Sequence, residues 1–150
     1  MKFNLNLHEG TDSIKFGMTS IQIQSILQHK PNLFKKTEVD ILDTEEYEGI
    51  HVYYEEIDGK IVCSAFEFFE PSEVFLDNIQ LVGEERIEIE DFFKNKFADC
   101  EVFPYQLASS KNEIFMSVKF NQTIQSIFIA RQGYGEKQKA FYEKAFAKKL

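Results

Sequence analysis

The dipeptide Asp58-Gly59 places the tightest constraint on how this chain folds. Both central positions of a type I′ turn need positive φ, which aspartate tolerates and glycine adopts freely. The twist of that turn suits two antiparallel strands. Before it, Ile50–Ile57 alternates apolar and polar residues; after it, Ile61–Phe69 runs as a return strand until Pro71 stops it. The pattern predicts a hairpin with a two-residue loop. Successive side chains on a strand face opposite ways, so Ile50, Val52 and Tyr54 are expected on one side and His51, Tyr53 and Glu55 on the other.

A short helix is predicted ahead of this hairpin. Thr19 stands three residues before Gln22, the capping-box spacing that satisfies orphan backbone N–H groups. Ile23, Ile26 and Leu27 follow at helical spacing, and Pro31 closes the segment. Asp40–Glu48 reads as an acidic loop, and Val74–Leu76 as a further strand. The second half repeats the plan. A helix is expected over about Arg86–Phe97, with Ile89, Phe92 and Phe93 on one face, then a connecting strand near Glu101–Leu107. A second hairpin pairs Ile114–Phe120 with Thr123–Ala130 around Asn121-Gln122. Its expected core stripe is Ile114, Met116, Val118 and Phe120, against Phe115, Ser117 and Lys119.

Ile23 to Ile50 spans 27 residues and Ile89 to Ile114 spans 25. The near match predicts an internal duplication of a helix–strand–strand–strand unit, with pseudo-repeats at 14–77 and 84–131. A C-terminal helix is expected over 135–150, with Phe141, Tyr142, Ala145 and Phe146 as its apolar stripe. It reads as a helix docked on the domain; a partner-binding or oligomerising helix is the alternative. The fold class is therefore α+β: an antiparallel sheet of hairpins with helices on one face. The opposite face is expected to be partly open, carrying Tyr53, Glu55, Glu67, Phe69 and Phe115.

The 150 residues, 43% of them hydrophobic, suffice for a single domain over 1–150. Charge is unevenly placed. Residues 38–101 hold 20 of the 25 acidic residues and only 4 of the 17 basic ones, against a net charge of −8 for the chain. That excess attracts cationic partners and repels nucleic acid and anionic membranes. The opening MKFNLNLHEG has no continuous apolar run, so neither a signal peptide nor a membrane anchor is expected. Cys63 and Cys100 read as free thiols, and the expected compartment is the cytoplasm.

No arrangement of residues announces a reaction. Carboxylate pairs are abundant but none is singled out, and the three histidines lie outside any metal-ligand spacing. His51 and Cys63 are expected opposite positions 66 and 54 of the hairpin, too far apart for a nucleophile–base pair. Gly133-Tyr134-Gly135 lacks the strand–helix setting of a dinucleotide loop, and Asp40–Glu48 lacks the register of a calcium loop. No catalytic residue, cofactor or metal is predicted.

Ile14-Lys15-Phe16-Gly17-Met18-Thr19, with Ile23, Ile26 and Leu27, resembles the opening of several small bacterial proteins. They are tandem helix–sheet units of the β-lactamase-inhibitor-protein type and outer-membrane assembly lipoproteins of similar topology. The chain departs from the second in lacking a lipobox, and from the first in lacking paired cysteines in each repeat. In size and acidity it is similar to immunity proteins of bacterial toxin–immunity pairs, including those of contact-dependent growth inhibition. That resemblance implies a protein that covers the active site of a basic toxin, and it transfers no functional residue. A nuclease toxin must present positive charge to phosphate, so an acidic protein can occupy the same surface. The expected contacts are Glu45, Glu46, Tyr47, Glu48, Tyr53, Glu55, Glu56, Asp58 and Glu67, with Tyr47 and Tyr53 as anchors. The alternative is a homo-oligomeric or adaptor module without catalytic activity, a homodimer through the Phe141/Phe146 stripe being one form of it.

Overall fold

In the computed structural model, residues 1–148 are described. The chain runs β1 (Lys2–Asn6), β2 (Gly10–Thr11), α1 (Ser20–Leu27), β3 (Asn32–Phe34), β4 (Thr44–Tyr47), β5 (Ile50–Ile57), β6 (Lys60–Phe69), β7 (Glu73–Leu76) and β8 (Ile79–Gln80). It continues through α2 (Arg86–Lys96), β9 (Glu101–Phe103), β10 (Gln106–Ser109), β11 (Ile114–Val118), β12 (Ile124–Ala130) and α3 (Tyr134–Ala147). A large antiparallel sheet has the order β3-β4-β5-β6-β12-β11-β10-β9, and a small one the order β2-β1-β7-β8 with β1 parallel to β7. The α+β class with a C-terminal helix is thus observed. The last two residues of the expected helix 135–150 lie outside the described residues.

Local chemistry explains the elements. Asp58 and Gly59 have φ of 51° and 79°, and Ile57 faces Lys60 across the turn they make. Thr19 caps α1 reciprocally with Gln22. The α1 C-cap Gln28 takes the left-handed conformation, so the helix stops at Leu27, four residues before Pro31.

The element order reads twice: two short strands, a helix, then a four-strand meander. The halves meet where β6 pairs with β12, from Ala65–Ala130 to Phe69–Ser126. Each unit carries four sheet strands after its helix, where a helix and three strands are expected from the sequence. Pro104 and Tyr105 break the expected strand Glu101–Leu107 into β9 and β10. The expected strand at Val74–Leu76 leaves the large sheet to pair with β1.

One face of the large sheet buries the main core. Ile23 and Leu27 from α1, Ile89 and Phe93 from α2, and Phe3 and Val74 from the small sheet pack against Val52, Phe66, Phe68, Met116 and Ile127. Each such side chain contributes about 1.5–3 kcal/mol through burial. Phe120 departs from its expected place in this stripe: β11 ends at Val118, and Phe120 is 88% exposed.

The other face is covered over one half by α3. There Tyr53, Ala65, Ala130 and Tyr134 form a second small cluster, with Phe128 against it. The pairing of β5 with β6 shifts between Tyr53–Ala65 and Tyr54–Cys63, leaving Ser64 as the extra residue of a bulge. The bulge keeps Cys63 opposite Tyr54, as the sequence predicts, but moves His51 opposite Glu67 instead of residue 66.

Candidate functional site

The acidic stretch Asp40–Glu48 is not a loop throughout. Thr44–Tyr47 pairs with both β3 and β5 inside the large sheet, which turns alternate side chains into the core. Glu45 is 5% exposed, and its carboxylate accepts hydrogen bonds from Ser20, Tyr47 and Tyr54. Three hydroxyl donors from α1, β4 and β5 satisfy this carboxylate as water would. Burial, and then the adjacent charge of Glu45, push the Tyr47 hydroxyl above its ordinary pKa, so it remains a donor.

Glu55 is likewise interior. Arg131, just past β12, donates two hydrogen bonds to it, from Nε at 2.6 Å and Nη2 at 2.8 Å. Lys137 of α3 lies 3.2 Å away. Burial alone pushes the Glu55 carboxyl up, but the bonds from Arg131 and Lys137 outweigh it and hold the group below its ordinary value. This pair ties α3 to the sheet. A second tie runs from Tyr142, whose hydroxyl donates to Asp40 at 2.6 Å. Between them, segment 40–44, β5 and α3 line an open pocket of about 220 Å³.

Of the nine expected contact residues, Glu45, Tyr47, Tyr53 and Glu55 are therefore buried. Tyr47 and Tyr53 brace carboxylates from inside the fold, and do not protrude as surface anchors. Glu46, Glu48, Glu56 and Asp58 are exposed, and Glu67 is half-buried. The exposed four do not form one patch. Glu48 and Asp58 sit at opposite ends of β5, roughly 30 Å apart at ~3.3 Å per residue.

Glu46 and Glu48 belong to a rim assembled by three turns. The Glu48-Gly49 turn lies against the Phe69–Ser72 turn: Phe69 N–H donates to the Gly49 carbonyl at 2.9 Å, and so does the Ser72 hydroxyl at 2.9 Å. The Glu70 carboxylate in turn lies against Gly83, where a Cβ would stand 2.8 Å from its Oε1. Glu46, Glu48, Glu70, Glu73, Glu84 and Glu85 thereby gather at one end of the large sheet. Among the described residues, only Glu46 of these six makes an ion-pair contact, with His51 at 3.4 Å.

The uncovered part of the second sheet face adjoins this rim and is aromatic. Phe34, His51 and Phe69 form a ladder with ring separations of 5.1 and 4.7 Å, beside a cleft of about 580 Å³ that also meets His29 and Lys30. Further along, Phe128 lies 5.7 Å from Tyr53 and 6.1 Å from Phe115. Glu67 sits between the two groups and accepts hydrogen bonds from Tyr53 at 3.0 Å and Ser126 at 3.3 Å. Burial first, then the Glu67 charge, raise the Tyr53 pKa, so this phenol donates at any physiological pH. Of the face expected to be open, Phe69, Glu67 and Phe115 remain accessible in part, whereas Tyr53 and Glu55 are covered.

Sequence reasoning missed Phe34, Phe128, Arg131 and the lysine that stands over two of these rings, Lys36. Phe128 was within reach, because Ser126, Phe128 and Ala130 alternate against the buried Ile127 and Ile129. Among the described residues no group of three or more His, Cys, Asp or Glu side chains could hold a metal ion. No described helix is long and apolar enough to cross a membrane. Cys63 is buried and its thiol donates to the Lys15 carbonyl; Cys100 is half-buried, and both are free. Comparison with protein-family models, with curated proteins and with solved structures finds no match.

Proposed function

We propose that this chain is an acidic binding protein that neutralises a cationic partner, namely a bacterial nuclease toxin, as an immunity protein of the cytoplasm. The observation that carries the reading is the rim of Glu46, Glu48, Glu70, Glu73, Glu84 and Glu85, set beside an accessible aromatic sheet face. These carboxylates come from β4, β7 and the turns beside them, with a single histidine in contact, His51 against Glu46. Rim charges raise the association rate with a basic surface, while desolvated rings supply holding energy. A nuclease offers the complement, because its own substrate is a polyanion.

The test is inhibition of a panel of purified cationic nuclease domains by the chain, with complex formation followed by size exclusion and surface plasmon resonance. Reversing Glu46, Glu48 and Glu70 to lysine together should slow association with an inhibited nuclease at least tenfold and flatten its salt dependence. Unchanged association rate and salt slope in that triple variant would refute the reading.

A second reading, self-association or an adaptor role, draws on Val102, Phe103 and Tyr105 at the β9 end of the sheet, 41%, 44% and 57% exposed. Light scattering separates the two, since a stable homodimer favours this one. Arg86 opposes pairing at that edge, because its guanidinium takes the Phe103 and Pro104 carbonyls.

A further inference from the structure

The same sheet face already carries a cation, supplied by the chain itself. Lys36 is an exposed residue on the segment between β3 and β4, and its ammonium stands 5.0 Å from the Tyr53 ring centre and 5.9 Å from that of Phe128. Both distances fall within the range of attraction between a cation and an aromatic quadrupole. Glu67 strengthens the position, because its carboxylate accepts a hydrogen bond from the Tyr53 hydroxyl and pushes electron density toward that ring. Other cations beside this face are bound to carboxylates, as Arg131 and Lys137 are to Glu55. The Lys36 ammonium has only rings among its described contacts, while its backbone N–H is turned to the Asp40 carboxylate. A lysine so placed loses side-chain freedom for a modest attraction, and a better-oriented cation displaces it readily.

We propose that the Tyr53 and Phe128 rings beside Glu67, of which Tyr53 is only 7% exposed while Lys36 stands over it, are the seat of an arginine or lysine side chain from a basic protein partner, and that Lys36 holds this seat in the free protein. The proposal rests on the reading above, in which the partner is cationic. It adds where the partner's cation goes and what it evicts. The seat is continuous with the His51–Phe69 ladder, since Tyr53 follows His51 by one turn of the strand pleat and Glu67 faces His51 in register. A basic segment lying across β5, β6 and β12 meets the acidic rim at one end and this aromatic seat further in. An arginine is the better occupant, because its planar, weakly hydrated guanidinium stacks on rings where an ammonium makes a point contact.

The experiment measures the dissociation constant of a capped octa-arginine peptide for the full chain by fluorescence anisotropy at two salt concentrations, with octa-lysine in parallel. Lys36→Gln should bind octa-arginine about three- to fivefold more tightly than Lys60→Gln, a control with the same charge change at the hairpin tip, as release of one cation–π contact implies. Lys36→Arg should bind no more tightly than the unmodified chain, and Phe128→Leu should bind about three- to fivefold more weakly. Octa-lysine should follow the same order with smaller differences. Equal affinities for Lys36→Gln and Lys60→Gln, or unchanged binding by Phe128→Leu, would overturn the proposal. Should Phe128→Leu fail to fold, ring-proton shifts in the unmodified chain decide the matter. Those of Tyr53 and Phe128 must move on peptide addition while those of the buried Phe93 stay, and immobile Tyr53 and Phe128 signals overturn it. The nuclease panel keeps the two readings apart. Peptide seated on these rings with no nuclease inhibited leaves the seat standing and removes the toxin reading. A nuclease inhibited equally by the Lys36→Gln and Phe128→Leu variants removes the seat and leaves the toxin reading.

Discussion

Replacing Arg131 with alanine takes from Glu55 both of its guanidinium bonds, at 2.6 and 2.8 Å, and leaves a carboxylate only 4% exposed. Breaking a fully buried pair in this way costs about 3–5 kcal/mol, chiefly for the charge left behind. Two features reduce that figure. The Arg131 side chain is itself 25% exposed, and Lys137 remains 3.2 Å from Glu55 to offset part of the stranded charge. A loss of about 2 kcal/mol is the expected result, or about 4–8 °C in Tm for a chain of this size. The pH profile provides a second reading of the same contact. Glu55 has its native pKa below the ordinary 4.5, so its contribution is present above that value and is lost as pH falls through the native one. In Arg131→Ala that acid-side loss should shrink. Urea unfolding followed by far-UV circular dichroism at pH 7 and pH 4 measures both. A loss below about 0.5 kcal/mol, or an unaltered pH profile, would refute the assignment of Arg131–Glu55 as the tie between α3 and the sheet.

Three other outcomes are expected. Glu113, in the turn before β11, is buried against the start of α3, where its Oε1 accepts the Gly135 N–H, and burial, its largest influence, raises its pKa. Its contribution is therefore greatest below the ordinary carboxyl range and is lost as pH rises through the raised native value; Glu113→Gln should flatten that decline in urea titrations from pH 4 to 7. Gly49→Ala should destabilise by about 2 kcal/mol or more, since it adds a Cβ 2.5 Å from Ser72 Oγ to the strain of φ +78°, whereas Gly59→Ala, with open space around it at φ +79°, should cost only about 1 kcal/mol in thermal melts. The Cys63 thiol, pushed up to about 11 by burial, should resist a thiol reagent until the chain unfolds, while the half-buried Cys100 reacts first.

What could be read from the sequence was local. Thr19 and Gln22 mark the start of α1, and Asp58-Gly59 sets the turn and the Tyr54–Cys63 register, because in each case both partners lie within a few residues. The second sheet escaped, since nothing in Lys2–Asn6 shows that it pairs with a strand some seventy residues later. The role of Glu45 escaped for a related reason. A glutamate in an acidic run looks solvated, and only the fold brings Ser20 and Tyr54 to its carboxylate. Phe120 was misplaced because strict alternation cannot foresee where a strand stops. The electrostatic argument kept its sign and changed its location: acids at 46–48, 70–73 and 84–85 combine, while those at 56 and 58 point away at the far hairpin tip.

The seam between the halves bears on how the molecule assembles. Its pairs join residues 57 to 65 positions apart, from Phe69–Ser126 to Ala65–Ala130. Within each half of the large sheet, by contrast, neighbouring strands are closed by turns of two to five residues, apart from the nine residues between β3 and β4. Loop-closure entropy makes the hairpins the early products and the β6–β12 zipper a late one. Until that zipper closes, two unprotected strand edges, rich in Phe and Ile, are open to intermolecular pairing. Refolding yield should accordingly fall as protein concentration rises, even though the native sheet buries both edges at its centre.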